Sequence, residues 1–228
     1  MKISLAITTF QRFELTIKSF EKVINDERIS EVIILDDFSQ DNSFEKLIKY
    51  FENVPHVRVY QQQFNKGMSF NKRDAISLCY NDWVIILDSD NQIGLDYLDN
   101  IPKYVEDQFI YMPDFARPNF DYRKFNKMFI HKLNAKEFVS DPIGNMCANT
   151  CNYLVNKKKY LEIYEEDKSV METDTIHFFY LWVKAGYAFQ VVEGMQYDHL
   201  VHPQSAWLMN AKYNLQKGEE TRIKIMEL

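Results

Sequence analysis

The stretch "NDWVIILDSDNQ", residues 81–92, decides how the chain is read. Trp83 to Leu87 form an unbroken apolar run, too short for a helix and bounded by polar residues, so they specify a buried strand. The run stops abruptly at Asp88, Ser89 and Asp90. In extended backbone successive side chains point to opposite faces, so Asp88 and Asp90 can point the same way with Ser89 turned aside. Two carboxylates that close repel in a partly dry cleft, and a cation between them removes the repulsion. A hard divalent ion with oxygen ligands, Mg²⁺ or Mn²⁺, is the natural candidate. An isolated D-x-D is more simply a turn that ends a strand, so the flanking sequence has to choose between the two.

Upstream, short β-rich runs alternate with helical patterns. "KISLAIT" (2–8) reads as a strand, and "QRFELTIKSFEKVIN" (11–25) reads as an amphipathic helix with Phe13, Ile17, Phe20 and Ile24 on one face. "SEVIILD" (30–36) is a second strand, and Asp41 caps a helix over "NSFEKLIKYFE" (42–52), with Glu45 reinforcing its start. "HVRVYQQ" (56–62) is a third strand, "MSFNKRDAISLCY" (68–80) a helix and "DWVIILD" (82–88) a fourth strand. Strands separated by helices of this length imply βαβ crossovers and a parallel, doubly wound sheet. In such sheets ligands bind beyond the carboxyl ends of the strands. Those ends are polar here: Thr8 and Thr9, Asp36 and Asp37, Gln61 to Gln63, and Asp88 to Asp90.

Composition narrows the function classes. The chain has 228 residues, 46% hydrophobic, which is enough for one sizeable core. A formal charge of -6 and no long basic run argue against nucleic acid as the main partner. The three lysines of "NKKKYLE" (156–162) read most simply as a solvated helix start. No window reaches the apolar length of a membrane span, and the N-terminus lacks a signal-peptide pattern. Cys79, Cys147 and Cys151 are odd in number without C-x-x-C spacing, as expected of reduced thiols in a cytoplasmic protein.

An ordered series of segments carries a family resemblance: "ISLAITTFQR" (3–12), "VIILDDFSQDNS" (32–43), "NKGMSFNKRDAI" (65–76) and "WVIILDSDN" (83–91). In this order and spacing they resemble the nucleotide-sugar-dependent glycosyltransferases of family 2, and the resemblance covers roughly residues 3–92. It implies a GT-A fold, an α/β architecture with a central, mostly parallel Rossmann-like sheet flanked by helices and a small acceptor-side annex. It implies one domain over 1–228, with 1–92 as the nucleotide-sugar-binding half and 93–228 as the acceptor-binding and catalytic half. Carried over by position, Thr8, Thr9, Phe10 and Arg12 look like the segment that cradles the nucleotide. Asp37 resembles the acid that accepts a hydrogen bond from a uracil-type base, with Asp36 in support. Asn65, Lys66, Gly67 and Arg73 resemble the loop and helix start facing the donor, where Arg73 would meet phosphate or sugar. Asp88, Ser89 and Asp90 match the D-x-D segment, with Asp90 as direct metal ligand and Asp88 at the ribose or donor sugar. Two positions depart from the family pattern. Phe38 stands where Gly often follows the acid pair, which argues for a different backbone path because bulky residues rarely adopt positive φ. Asp74 stands where Asn is usual.

The second half is less regular. "MPDFARPNFDYRKFN" (112–126) reads as an aromatic, polar loop, either over the acceptor pocket or packed under itself. "SVMETDTIHFFYLWVKAGYAF" (169–189) resembles the family's acidic helix start and A-G-Y helix end. Inverting transfer needs a base for the acceptor hydroxyl, and a carboxylate at a helix start suits that task. The usual adjacent Glu-Asp is here Glu172, Thr173, Asp174; counting back from Gly186 favours Asp174, and Glu172 could orient the acceptor or share the work. His177 is expected to pack within the helix. "YDHLVHPQSAW" (197–207) resembles a late H-x-x-H-x-x-S segment, from which His199 or His202 could complete the metal shell. The C-terminal segment after Ala206 reads as a helix, a candidate surface for packing or homodimer formation. The implied activity is Mn²⁺- or Mg²⁺-dependent inverting transfer from a nucleoside-diphosphate sugar, with a UDP-sugar as expected donor, to a hydroxyl acceptor such as a growing glycan. Two rivals remain: a nucleotide-sugar-binding module without turnover, and a sugar-phosphate nucleotidyltransferase, against which the absence of glycine in "AITTFQRFELT" counts.

Overall fold

A computed structural model describes residues 1–200 and 205–228. The first half has the expected alternation: β1 (Ile3–Thr9), α1 (Phe13–Phe20), β2 (Ile29–Asp36), α2 (Ser43–Phe51), β3 (Val57–Gln61), α3 (Met68–Leu78) and β4 (Trp83–Asp88). The strands pair in parallel in the order β3-β2-β1-β4, so every carboxyl end opens on the same edge of the sheet. Their centres are apolar on both faces, with Leu5, Ile7, Val32, Ile33, Ile34, Val84 and Ile85 fully buried, as parallel strands covered by helices on both sides require.

Helix α1 is shorter than the pattern predicts. It begins after Gln11, whose φ is 53°, and ends at Phe20 in a turn closed by Val23 N–H on the Phe20 carbonyl. Asp41 does accept the Ser43 N–H at 3.1 Å, but Asn42 takes the left-handed cap position. The lysines at 157–159 open a helix as expected, capped by Asn156.

Among the described residues the second half completes one sheet of ten strands: β5 (Asn91–Ile93), β6 (Phe109–Arg117), β7 (Phe120–Asp121), β8 (Phe129–Ile130), β9 (Leu154–Asn156) and β10 (Ala188–His199). Between them lie α4 (Leu95–Asp99), α5 (Ala135–Ser140), α6 (Pro142–Ala148), α7 (Lys157–Ile163) and α8 (Asp174–Lys184). Helices α9 (Ala206–Met209) and α10 (Ala211–Met226) follow β10. Strand β9 joins β4 antiparallel, and the sheet continues through β6, β10 and β5. The expected loop at 112–126 is corrected here, because its first residues belong to β6, an interior strand. Pro113 obscured it, since proline cannot donate to a ladder. The register of β6 against β10 breaks between Val192 and Gln196, and the Gly194 N–H turns to the Asp114 carboxylate at 2.9 Å.

Helix α8 is the central helix of this half, with Trp182 and Phe179 buried. It ends at Gly186, whose φ of 89° lets the Tyr187 N–H close back on the Trp182 carbonyl at 3.2 Å. His177 is buried within it, and burial lowers its pKa. The three cysteines are buried free thiols. Among the described residues no helix is long and apolar enough to cross a membrane.

Candidate active site

The carboxyl edge of the parallel strands floors a cavity of about 640 Å³. Its wall includes Thr8, Thr9, Phe10, Arg12, Asp37, Asn65, Gly67, Asp88, Ser89, Asp90, Glu172, Asp174 and His199. Residues separated by as many as 191 positions are thus gathered at one edge, as the topology of an open α/β sheet dictates. Asp36, Lys66 and Arg73 do not reach the cavity wall among the described residues. His202 lies outside the described residues.

The turn after β2 is built by its two acids. Asp36 is fully buried and accepts hydrogen bonds from the Ser39 N–H at 2.8 Å, the Ser39 hydroxyl and the Gln61 amide at 2.9 Å. This closure holds Phe38 in the left-handed region with φ 67°, so the expected avoidance of positive φ is corrected: the turn keeps the path a glycine would take. Asp37 accepts the backbone N–H groups of Lys66 at 2.8 Å and Gly67 at 2.9 Å. Burial pushes its pKa up, against the pull of those two amides. Asp37 therefore ties the loop before α3, where Gly67 has φ 85°, to the end of β2.

Helix α3 contributes a residue that the sequence comparison passed over. Lys72 is 3% exposed, and its ammonium lies 3.1 Å from Asp88 Oδ1 and 3.1 Å from Asp174 Oδ2. Burial would draw its pKa down, but the carboxylates of Asp174 and Asp88 outweigh that and hold it well above the usual lysine range. Asp174 is itself buried at the start of α8, and burial raises its pKa despite Lys72. Arg73, the residue expected at the donor, points elsewhere: it pairs with its neighbour Asp74 at 2.8 Å, which also takes Lys66 at 2.7 Å and Gln62 at 2.9 Å. Helix periodicity explains the exchange. Ala75 and Ile76 face the sheet, and Lys72 lies three and four residues before them on the same face, whereas Arg73 is turned about 100° away. That spacing was the available signal for Lys72.

The two acids of the D-x-D segment pair with different cations. Asp88 pairs with Lys72, while Asp90 meets the Arg12 guanidinium at 2.7 Å. His199 bonds Asn91 Oδ1 through Nδ1 at 2.8 Å and stands edge-on to Phe120. Among the described residues no three His, Cys, Asp or Glu side chains gather as ready-made metal ligands. The charge balance nevertheless fits a divalent ion. The described wall carries Asp37, Asp88, Asp90, Glu172 and Asp174 against Arg12 and Lys72, so a diphosphate entering it needs further positive charge. Ions of the Mg²⁺ type characteristically take one or two protein carboxylates and fill the remaining positions with phosphate and water.

Glu172 sits in the short 3-10 turn before α8. Its Oε1 accepts the Asn210 amide at 3.1 Å, while Oε2 is buried with no hydrogen-bond partner among the described residues. Asn152 precedes β9, and its Oδ1 receives the Asp88 N–H at 2.9 Å. Neither Asn152 nor Asn149, which also line the cavity, carries a motif that sequence reading could have used.

The strand ends of the parallel half-sheet thus present an acid pair, a buried lysine and a helix-start carboxylate around one cavity, the arrangement of an α/β fold with its ligand site at the carboxyl edge. Comparison with known proteins gives the family. The model of glycosyl transferase family 2 matches residues 4–163, and the chain belongs to that family. An uncharacterized glycosyltransferase of Mycoplasma pneumoniae is 28% identical over 139 residues, 59% of this chain and 45% of that protein. The poly(ribitol-phosphate) beta-glucosyltransferase of Bacillus spizizenii is 28% identical over 102 residues, 43% of this chain and 16% of that protein. The chain thus spans less than half the length of these curated relatives. Among solved structures, S. aureus TarS 1-349 in complex with UDP-GlcNAc superposes with a TM-score of 0.69 at 14% identity, covering 98% of this chain and 66% of that one. The mannosyltransferase PcManGT from Pyrobaculum calidifontis, in complex with GDP-Man and Mn²⁺, gives 0.72 at 15% identity, covering 98% and 64%. At such identities the likeness is one of fold, and the fold is GT-A.

Proposed function

We propose that this glycosyltransferase moves a sugar from a nucleoside-diphosphate sugar, with a UDP-sugar as the expected donor, to a hydroxyl of a glycan or other alcohol, inverting the anomeric carbon. The observation that carries the reading is the buried Lys72 shared between Asp88 on the strand edge and Asp174 at the helix start. In this reading Lys72 is a fixed cation beside a departing diphosphate, and the buried Asp174 carboxylate in contact with it is the candidate base.

In this reading Thr8, Thr9, Phe10 and Asp37 seat the nucleoside, and Arg12 and Lys72 face the diphosphate. A Mn²⁺ or Mg²⁺ ion held by Asp90 and Asp88 would supply the added positive charge that the departing diphosphate needs. The acceptor oxygen attacks the anomeric carbon from the face opposite the diphosphate. The bond from that carbon to the diphosphate oxygen breaks, and its electron pair leaves with the diphosphate. Asp174 takes the acceptor proton, and its raised pKa makes it a stronger base than an exposed aspartate. Glu172, at the cavity wall, orients the acceptor hydroxyl. A single displacement with one base gives inversion.

The test is release of free nucleoside diphosphate from a panel of UDP- and GDP-sugars with Mn²⁺, with and without EDTA. Chelation and Asp90→Asn are each expected to cut the rate by roughly 10²- to 10³-fold. Turnover indifferent to both would overturn metal dependence. Nucleotide-sugar binding with no turnover against a panel of acceptors would turn the assignment into a binding module.

A further inference from the structure

Asp90 is claimed twice. It is the carboxylate at which the transferase reading places a divalent ion, and the Arg12 guanidinium meets its Oδ2 at 2.7 Å. We propose that Arg12 couples uptake of the ion to uptake of the donor: it contends with the ion for Asp90 and yields when a diphosphate offers it a stronger partner. The inference rests on the transferase reading above.

The contact is open to ligands and its base is fixed. Arg12 and Asp90 both line the cavity, and their side chains are 19% and 16% exposed, so a ligand that enters the cavity reaches the pair. The backbone beneath Arg12 is tied on both sides. The Gln11 N–H, at φ 53°, donates to the Ser39 hydroxyl at 2.7 Å, in the turn that Asp36 closes. The Arg12 carbonyl accepts the Thr16 N–H at 2.8 Å and the Thr16 hydroxyl at 2.7 Å. What remains adjustable is the side chain, whose stem can carry a planar guanidinium from a carboxylate to a phosphate of matching geometry.

Charge sets the order of preference. A guanidinium and a doubly charged ion on one carboxylate repel each other at short range. Asp88 is likewise engaged, because the Lys72 ammonium lies 3.1 Å from its Oδ1. Arg12 and Lys72 together offset the charge of the D-x-D pair, so the protein by itself attracts the ion weakly there. A diphosphate changes the balance. It takes the guanidinium in a two-pronged contact stronger than one to a single carboxylate oxygen, which releases Asp90. Its own oxygens fill further positions around the ion. Each ligand thus improves the site for the other, by the same factor in both directions.

The test measures Mn²⁺ and nucleotide affinities of wild type, Arg12→Gln and Lys18→Gln by calorimetry and by the EPR signal of free Mn²⁺, with UDP and GDP as probes. In wild type, Mn²⁺ is expected to tighten binding of the better nucleotide by roughly 30- to 100-fold. Arg12→Gln should bind Mn²⁺ alone about 5- to 10-fold more tightly than wild type, while the factor by which Mn²⁺ helps the nucleotide falls below about tenfold. Lys18 is exposed on α1 and lines a small second cavity together with Asp90, so Lys18→Gln removes a nearby charge of the same sign. It should shift Mn²⁺ affinity by less than about twofold, since solvent and salt screen an exposed charge. If Arg12 instead braced Asp90 as a ligand, Arg12→Gln would weaken Mn²⁺ binding by roughly 10- to 100-fold. That result, an unchanged Mn²⁺ affinity, or an equal gain in Lys18→Gln overturns the proposal while leaving sugar transfer intact. So does a wild-type nucleotide affinity that Mn²⁺ leaves unchanged, a result that needs no variant. Wild type that binds neither UDP nor GDP in the presence of Mn²⁺ overturns the transferase reading as well.

Discussion

Replacing Lys72 with methionine is expected to cost about 3–5 kcal/mol of stability at neutral pH and to reduce turnover by at least roughly 100-fold. The lysine is 3% exposed and neutralises two aspartates at once, so its removal leaves two carboxylates facing each other with their cation gone. The methionine fills most of the space, which confines the effect to charge. The sign with pH follows from Asp174, whose pKa burial already raises with Lys72 in place. Without Lys72 it would rise further, so the folded state would hold a proton that the unfolded state has lost. Such a penalty is full above the raised folded value and fades as pH falls toward the ordinary carboxylate range. Urea midpoints at pH 7.5 and at pH 5 measure it: the gap between variant and wild type should be largest at the higher pH. Lys72→Arg, which keeps the charge, should recover most of the stability. Equal midpoints for Lys72→Met and wild type at pH 7.5 would remove Lys72 from the centre of the site.

What could be foreseen in the sequence follows the range of the interactions concerned. Strand β4 and its acid end were readable because a short apolar run and its stop signal are local, and the alternation before it fixed the parallel half-sheet. Lys72 was missed through a one-residue displacement on α3, although Ala75 and Ile76 already marked the inner face. Phe38 was misjudged for a different reason: its strained backbone is held by Asp36, Ser39 and Gln61, and Gln61 is 25 residues from Asp36. Strand β6 was hidden by Pro113, whose missing donor is tolerated beside a register break in β10 that only the paired strands reveal. Asn152 has no local signature, since its partners Asp88 and Tyr97 lie 64 and 55 residues away. The pairing of each D-x-D acid with its own cation is likewise a product of tertiary placement, because Arg12 comes from the β1–α1 corner and Lys72 from α3.

Asp174→Asn is expected to lower kcat by roughly 10²- to 10⁴-fold, the usual worth of a positioned general base. Asparagine keeps the volume and can still accept a hydrogen bond from Lys72, so the floor of the cavity should survive and nucleoside-diphosphate affinity should change by no more than about threefold. In the wild-type enzyme the base must be ionised to act, so activity falls as pH drops through the pKa of Asp174. Burial places that value above the ordinary carboxylate range, and the acid limb of kcat should lie there too. The variant should lose that limb. Glu172 supplies the comparison: it is nearer the surface, bonded to Asn210 through one oxygen, and it is not engaged by Lys72. Glu172→Gln should therefore act mainly on the KM of the acceptor and leave the acid limb in place. Steady-state kinetics across pH with both variants decide the assignment: if the larger kcat loss and the vanished limb belong to Glu172→Gln, the proton goes to Glu172, and Asp174 serves to hold Lys72 against the strand edge.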